Sequence, residues 1–185
     1  MKKTIVIIFL MLLVPFSFFI VGCCKNQNFK ITGVGRFFAY ETEKWEEIEI
    51  IRRKAFELRF YPNIDFIGQN YSLNTSSLYA MSCQSYMKNC IKAGTVQLVL
   101  NKEIKLLSKR IPANTNLISK LDLVYTAYNT ECSETADYNG QVDVRFSKEL
   151  MNVIEIENGL AKFKISYETN DGKLIEAEKE VSINL

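Results

Sequence analysis

The chain has no histidine anywhere in its 185 residues. Histidine is the side chain that exchanges a proton near neutral pH and the commonest ligand of transition metals. Its absence excludes Ser-His-Asp and Cys-His hydrolases, zinc proteases and most copper or non-haem iron sites. Catalysis would fall to carboxylate, lysine or tyrosine chemistry, and no pattern of those residues makes a motif. The expectation is therefore a non-enzyme, with no catalytic residue assigned and no cofactor. A CxxC pair is missing too, which removes thiol oxidoreductases. So is an excess of charge: Lys2 and Lys3 account for the whole formal net charge of +2, and the rest of the chain is balanced. A balanced chain disfavours nucleic acid as a partner.

What is present begins with Met1 to Cys23. Two lysines precede an apolar run from Ile5 to Val21, interrupted by Ser17, and Gly22 stands directly before Cys23. A run of about seventeen apolar residues approaches the span of a bilayer core, so a retained signal anchor is one reading. Pro15 and Ser17 break the helix where a signal peptide relaxes before cleavage, and the smallest residue precedes the cysteine, which favours export and removal of residues 1–22. The motif Ile20-Val21-Gly22-Cys23 resembles the lipobox of bacterial lipoproteins, in which an apolar residue at −3 and a small one at −1 seat the chain and the thiol receives diacylglycerol. The resemblance implies that Cys23 is the lipidation site and Cys24 the second residue of the mature chain. Two or three acyl chains would each contribute on the order of 10 kcal/mol of membrane partitioning, at about 0.8 kcal/mol per buried methylene. Cys24 to Asn28 contains no aspartate. The implied location is the outer membrane, lipid-anchored, with the periplasmic face and the cell surface both open.

The remainder divides into a tether over 23–28 and one domain over 29–185, long enough to bury roughly 70% of its unfolded surface. With Cys23 acylated, Cys24, Cys83, Cys90 and Cys132 remain, and an exported chain meets an oxidising compartment. Four thiols permit three pairings. A Cys83–Cys90 bridge closes a short loop, whereas either of those joined to Cys132 ties distant segments and stabilises by about 3 to 4 kcal/mol. Free or partly buried thiols are the plainer alternative.

Apolar residues recur mostly at period two, the spacing of a strand with one buried face. Phe29 and Ile31 open the pattern, Phe37 to Tyr40 continue it, and Ala55 to Tyr61 form a strand closed by Pro62-Asn63. Glu41 to Lys54 fits two templates. Trp45, Ile48, Ile51, Ala55 and Leu58 fall at helical intervals, while Ile48 and Ile50 alternate with Glu47 and Glu49, and the strand is preferred. Asn63 to Gly94 reads as a long connection pinned by a disulfide. Val96, Leu98 and Leu100 precede Ile104 and Leu106, with Asn101-Lys102-Glu103 either a turn or a bend. Pro112 to Lys120 is a polar loop, Leu121 to Tyr128 a strand and Asn129 to Gly140 a loop. Val142, Val144 and Phe146 mark another strand. Phe163, Ile165 and Tyr167 lead through Asn170-Asp171-Gly172 to Ile175, Val181 and Ile183, the pattern of a closing hairpin. Seven or eight strands without helical alternation predict an all-β antiparallel β-sandwich, immunoglobulin-like in architecture only, with at most one short helix.

The leader, Ala80-Met81-Ser82-Cys83, the Ile104 to Ser108 strand, the loop Pro112-Ala113-Asn114-Thr115-Asn116-Leu117 and the Asn170-Asp171-Gly172 hairpin together resemble small uncharacterised lipoproteins of Bacteroidota that carry a domain of unknown function. The resemblance implies a sandwich domain on the outer membrane. The chain departs from the pattern in lacking acidic residues after the lipidated cysteine.

Three groups of side chains bear on chemistry. Asp137, Asn139 and Asp143 around Gly140 could offer oxygens to calcium, but their order does not match an EF-hand, and a solvated loop with no metal is preferred. Tyr61, Phe66, Tyr71, Tyr79 and Tyr86 could make a sugar- or peptide-binding surface, against the plainer reading of core and loop packing. Arg52-Arg53-Lys54 after Glu46, Glu47 and Glu49 predicts ion pairs on a solvated face, worth under about 1 kcal/mol each. The functional expectation is a membrane-tethered, non-catalytic binding or interaction module for a protein or glycan ligand. An envelope structural or assembly accessory is the alternative, followed by a carboxylate-based hydrolase with two acids about 5 to 10 Å apart.

Overall fold

The period-two pattern folds into two facing sheets in the computed structural model, which describes residues 26–70, 85–107, 109–128, 130, 132 and 140–185. Cys23, Cys24, Cys83, Tyr71, Tyr79, Asp137 and Asn139 lie outside the described residues, as does the whole leader. Among the described residues no helix is long and apolar enough to cross a membrane.

The larger sheet is organised on a long antiparallel ribbon of β1 (Asn26–Glu41) and β4 (Phe56–Asn70). β2 (Glu46–Glu47) flanks β1, β10 (Val142–Phe146) flanks β4, and β9 (Val124–Ala127) pairs with β10; β5 (Ser85–Met87) joins β1 in parallel. The second sheet has the order β3 (Ile50–Ile51), β13 (Leu174–Ile183), β12 (Gly159–Glu168), β6 (Gln97–Leu100). A small third sheet orders β11 (Ile154–Ile156), β7 (Ile104–Leu106) and β8 (Lys109–Ile111). The architecture is the expected all-β sandwich, mostly antiparallel.

Between the two main sheets, Phe56, Leu58, Phe60, Val142, Val144 and Phe146 meet Phe163, Ile165 and Tyr167, all buried. Phe56 stacks on Phe146 with centroids 4.4 Å apart, and Phe163 meets both rings. Each such phenylalanine contributes about 2 kcal/mol by leaving water.

Several boundaries differ from the sequence reading. The first strand starts at Asn26, inside the segment assigned to the tether. Pro62-Asn63 does not close β4, which runs on to Asn70. Proline has no N–H for a ladder, but here the pairing passes from Arg36↔Tyr61 to Gly33↔Asn63, so a bulge in β1 stands opposite Pro62. A Cβ on Gly35 would lie 1.4 Å from the Tyr61 carbonyl oxygen, so only glycine lets the bulged backbone come that close. Residues 63–70 and 85–87 of the expected Asn63–Gly94 connection are therefore sheet. The strands among the described residues number thirteen rather than seven or eight, because several are only two or three residues long. Glu41 to Lys54 holds two of these and no helix.

Among the described residues, two short helices replace the single one allowed. Leu117–Leu121 lies in the predicted Pro112–Lys120 loop, capped by Asn116, whose side chain accepts from the Ile118 N–H and also from that of Leu98 at 3.3 Å. Lys148–Val153 is capped by Ser147 accepting from Leu150. Helices of five and six residues are too short to show periodicity, and only their caps mark them.

The closing hairpin is present, with Glu168 paired to Leu174 and Gly172 at φ 82°. Its turn does more than reverse the chain. Asn170 and Cys90 exchange hydrogen bonds, from the Asn170 N–H to the Cys90 carbonyl at 3.0 Å and from the Cys90 N–H to Asn170 Oδ1 at 3.2 Å. Cys90 is disulfide-bonded to Cys132, 42 residues on, which selects one of the long ties. Asn89, fully buried, accepts from the Ile31 N–H at 2.8 Å and donates to the Ile31 carbonyl at 3.2 Å, so its amide replaces a missing strand neighbour. Asp171 accepts from Asn89 Nδ2 and Thr169 Oγ1 and pairs with Lys30 at 2.7 Å.

Candidate functional site

Alternation puts one set of side chains on the outer face of the large sheet, and pairing sorts them into rows. Tyr40 lies opposite Glu47 and Glu57, Glu57 opposite Arg145, and Arg145 opposite Val124. The next row is Phe38, Arg59, Asp143 and Thr126. Arg36 and Tyr61 form a third pair. Five strands thus bring together residues that lie more than a hundred positions apart in the chain, as Arg36 and Arg145 do.

Glu57 is the centre, only 2% exposed although it sits on an outer face. Arg59 Nη2 donates to its Oε1 at 2.5 Å, and Arg145 Nη2 to its Oε2 at 3.0 Å. Both carboxylate oxygens are therefore committed, and the carboxylate serves as a fixed counter-charge for two guanidinium groups. Arg59 also reaches Asp143 at 3.3 Å and the Tyr61 hydroxyl at 3.4 Å. Burial works against its charge, but the hydrogen bonds to Glu57 and Tyr61 prevail and hold it firmly protonated. Burial likewise pushes the Asp143 carboxyl up, opposed by the Gln141 amide, which donates to both carboxylate oxygens at 2.8 and 2.9 Å, and by Arg59. Gln141 Oε1 is buried and takes no hydrogen bond among the described residues.

Aromatic rings frame the cations. The Arg59 guanidinium carbon lies 5.4 Å from the centroids of both Tyr40 and Trp45. Phe38 contacts Tyr40 and Tyr61, with centroids 5.9 and 6.1 Å away. Burial, then the neighbouring Tyr61 and Glu47, push the Tyr40 hydroxyl up, so it remains a neutral donor. Trp45 ends the turn between β1 and β2, donating its N–H to the Glu41 carbonyl at 2.8 Å, with φ at 55° and 56% of the residue exposed. A left-handed backbone costs a tryptophan roughly 1 to 2 kcal/mol. Arg36, Phe38, Tyr40, Tyr61, Pro62 and Asn63 line an open depression of about 490 Å³ beside it.

Of the residues singled out from the sequence, Tyr61 and Asp143 belong to this face. Asp143 spends its oxygens on Gln141 and Arg59 rather than on a loop cation site. Phe66 lies elsewhere, at the far end of the ribbon. Tyr86 falls in β5. The basic run divides its duties: Lys54 pairs with Glu41 at 2.6 Å, as expected of an ion pair, but Arg53 caps the Lys148–Val153 helix through the carbonyls of Met151, Asn152 and Ile154. Tyr40, Trp45, Glu57, Arg59 and Arg145 were not predicted as a group. Their signal in the sequence is the polar phase of each strand, Glu57-x-Arg59-x-Tyr61 and Asp143-x-Arg145, and nothing local tells that β4 and β10 are neighbours.

Compared with protein-family models, curated proteins and solved structures, the chain matches none.

Proposed function

We propose that the protein is a lipid-anchored envelope module that binds a protein or glycan ligand on the outer face of its large sheet, without catalysis. The anchor rests on the lipobox-like segment ending at Cys23. The observation that carries the binding reading is Trp45, held exposed in a left-handed turn beside an arginine already fixed by Glu57. Tryptophan, tyrosine and arginine dominate recognition surfaces because each offers large contact area and polar groups while losing little freedom on binding. Arg59 is ordered before any ligand arrives, which lowers the entropic cost of using it. Arg145, with its side chain 57% exposed, keeps donors turned to solvent. Glu57 cannot act as a general acid or base while both its oxygens are occupied, so the cluster suits recognition better than hydrolysis.

Two measurements test this reading. Intact mass of the membrane-extracted protein is expected to show a chain beginning at Cys23 with added diacylglycerol. On glycan and peptide arrays, the wild type is expected to bind a defined set that Trp45→Gly loses at unchanged thermal midpoint. A folded wild type that binds nothing across both arrays contradicts the proposal.

A further inference from the structure

The β1–β4 ribbon runs past the end of the sandwich. Its apolar side leaves the core at fully buried Ile31 and continues outward, since Ile64 pairs with Ile31 and Phe66 with Phe29. Phe29 and Phe66 meet edge to face at 5.8 Å. Phe66 is 51% exposed and Ile67 49%, and Ile64 is also open to solvent. The pairing passes from Asn28↔Gly68 to Phe29↔Phe66, so Ile67 stands in a bulge near this end of the ribbon. Isolated apolar residues are ordinary on a surface, but a group of them three pairs short of the ribbon's Asn26↔Asn70 end offers a contact surface.

Its place along the chain names the contact. Phe66 is level with Phe29, which follows Cys23 by six residues, at most about 20 Å of extended chain. β1 then runs away from that end, and Glu41, paired with Phe56 ten residues along β4 from Phe66, stands about 33 Å from Phe29 at roughly 3.3 Å per residue. Exposed Lys88 donates its backbone N–H to the Phe29 carbonyl at 2.8 Å, which brings a basic residue to this end of the ribbon. Aromatic and aliphatic side chains flanked by a cation are the chemistry that partitions into the headgroup region of an anionic bilayer.

We propose that Ile64, Phe66 and Ile67 form a second membrane contact, seated in the surface of the bilayer that holds the Cys23 lipid. The domain then stands on this end of the ribbon, with Trp45 and Arg59 turned away from the membrane. This rests on the anchor proposed above.

The test uses the full lipidated chain in phosphatidylethanolamine and phosphatidylglycerol vesicles whose acyl chains carry bromine, a quencher of tryptophan fluorescence. Trp45, the single tryptophan of the chain, is an internal reference at the opposite end. Emission added by Phe66→Trp is expected to be quenched about threefold more than that of Trp45, and Ile67→Trp, checked for the wild-type thermal midpoint, repeats the reading at an independent position. Equal quenching at both ends with the lipid present by intact mass overturns this contact alone and leaves the anchor standing. A mass without lipid removes the anchor and this inference with it. Blue-shifted, concentration-dependent emission without quenching assigns the surface to a second copy of the chain and also overturns the membrane contact.

Discussion

Two polar networks hold this sandwich, and they end differently. At the hairpin turn, Asn89, Thr169 and Asp171 are tied to backbone or to each other, and the disulfide closes the group. On the outer face of the large sheet, Glu57 is equally satisfied, yet Arg145 and Trp45 remain in solvent and Gln141 Oε1 has no partner among the described residues. The first network consumes its hydrogen bonds in joining β1 to the second sheet. The second spends a buried carboxylate on orienting cations that face outward. A polar cluster that closes on itself is architecture, whereas one that fixes donors and then displays them has the form of a recognition surface.

The sharpest way to break the comparison is to open the closed network. Cys90→Ala with Cys132→Ala removes a tie across 42 residues, and chain-entropy reasoning gives a loss of about 4 kcal/mol, read as a fall in the thermal midpoint. Glu57→Ala comes next. Two guanidinium groups lose a nearly buried counter-charge, so stability is expected to fall by about 3 kcal/mol in urea titrations, with array binding lost as well. Trp45→Gly is expected to differ from both. Relief of the left-handed strain offsets the lost cation–π contact, leaving stability within about 1 kcal/mol of wild type while binding disappears.

The smallest effect separates the networks by pH. Lys30, then Thr169, hold the Asp171 carboxyl well below the usual carboxylate range. The unfolded chain therefore takes up that proton first, so this group's stabilisation is present above about pH 4 and fades on acidification. Asp143 has the opposite sign: burial raises its carboxyl, the folded state binds the proton first, and acidification through the ordinary carboxylate range favours folding. Asp171→Asn should flatten the acid limb of a stability–pH profile and Asp143→Asn should steepen it. Equal slopes for the two variants would remove this distinction.

The sandwich and its closing hairpin were legible because Phe163, Ile165 and Tyr167 alternate cleanly and Asp171-Gly172 supplies the turn. Pro62 misled, since proline argues against a strand interior unless a bulge faces it, and that bulge depends on Gly35 in a distant strand. The helices at Leu117 and Lys148 escaped because each is about one and a half turns, too short for periodicity. The outer-face cluster was half legible. The polar phases of β4 and β10 were readable, but Glu57 meeting Arg145 is a consequence of strand order, which local pattern does not encode. The choice of Cys132 as partner for Cys90 was open for the same reason.

The two outer faces of the sandwich offer the most direct measurement. Val124 stands in the row of Glu57 and Arg145, and Leu160 is comparably exposed, at 72% and 66%, on the other sheet. A photo-crosslinking residue placed at each position in intact cells is expected to yield a discrete adduct from Val124 and none from Leu160. Equal adducts from both faces, or none from Val124 while the protein is present in the membrane fraction, would contradict a binding role for the Trp45–Arg59 face.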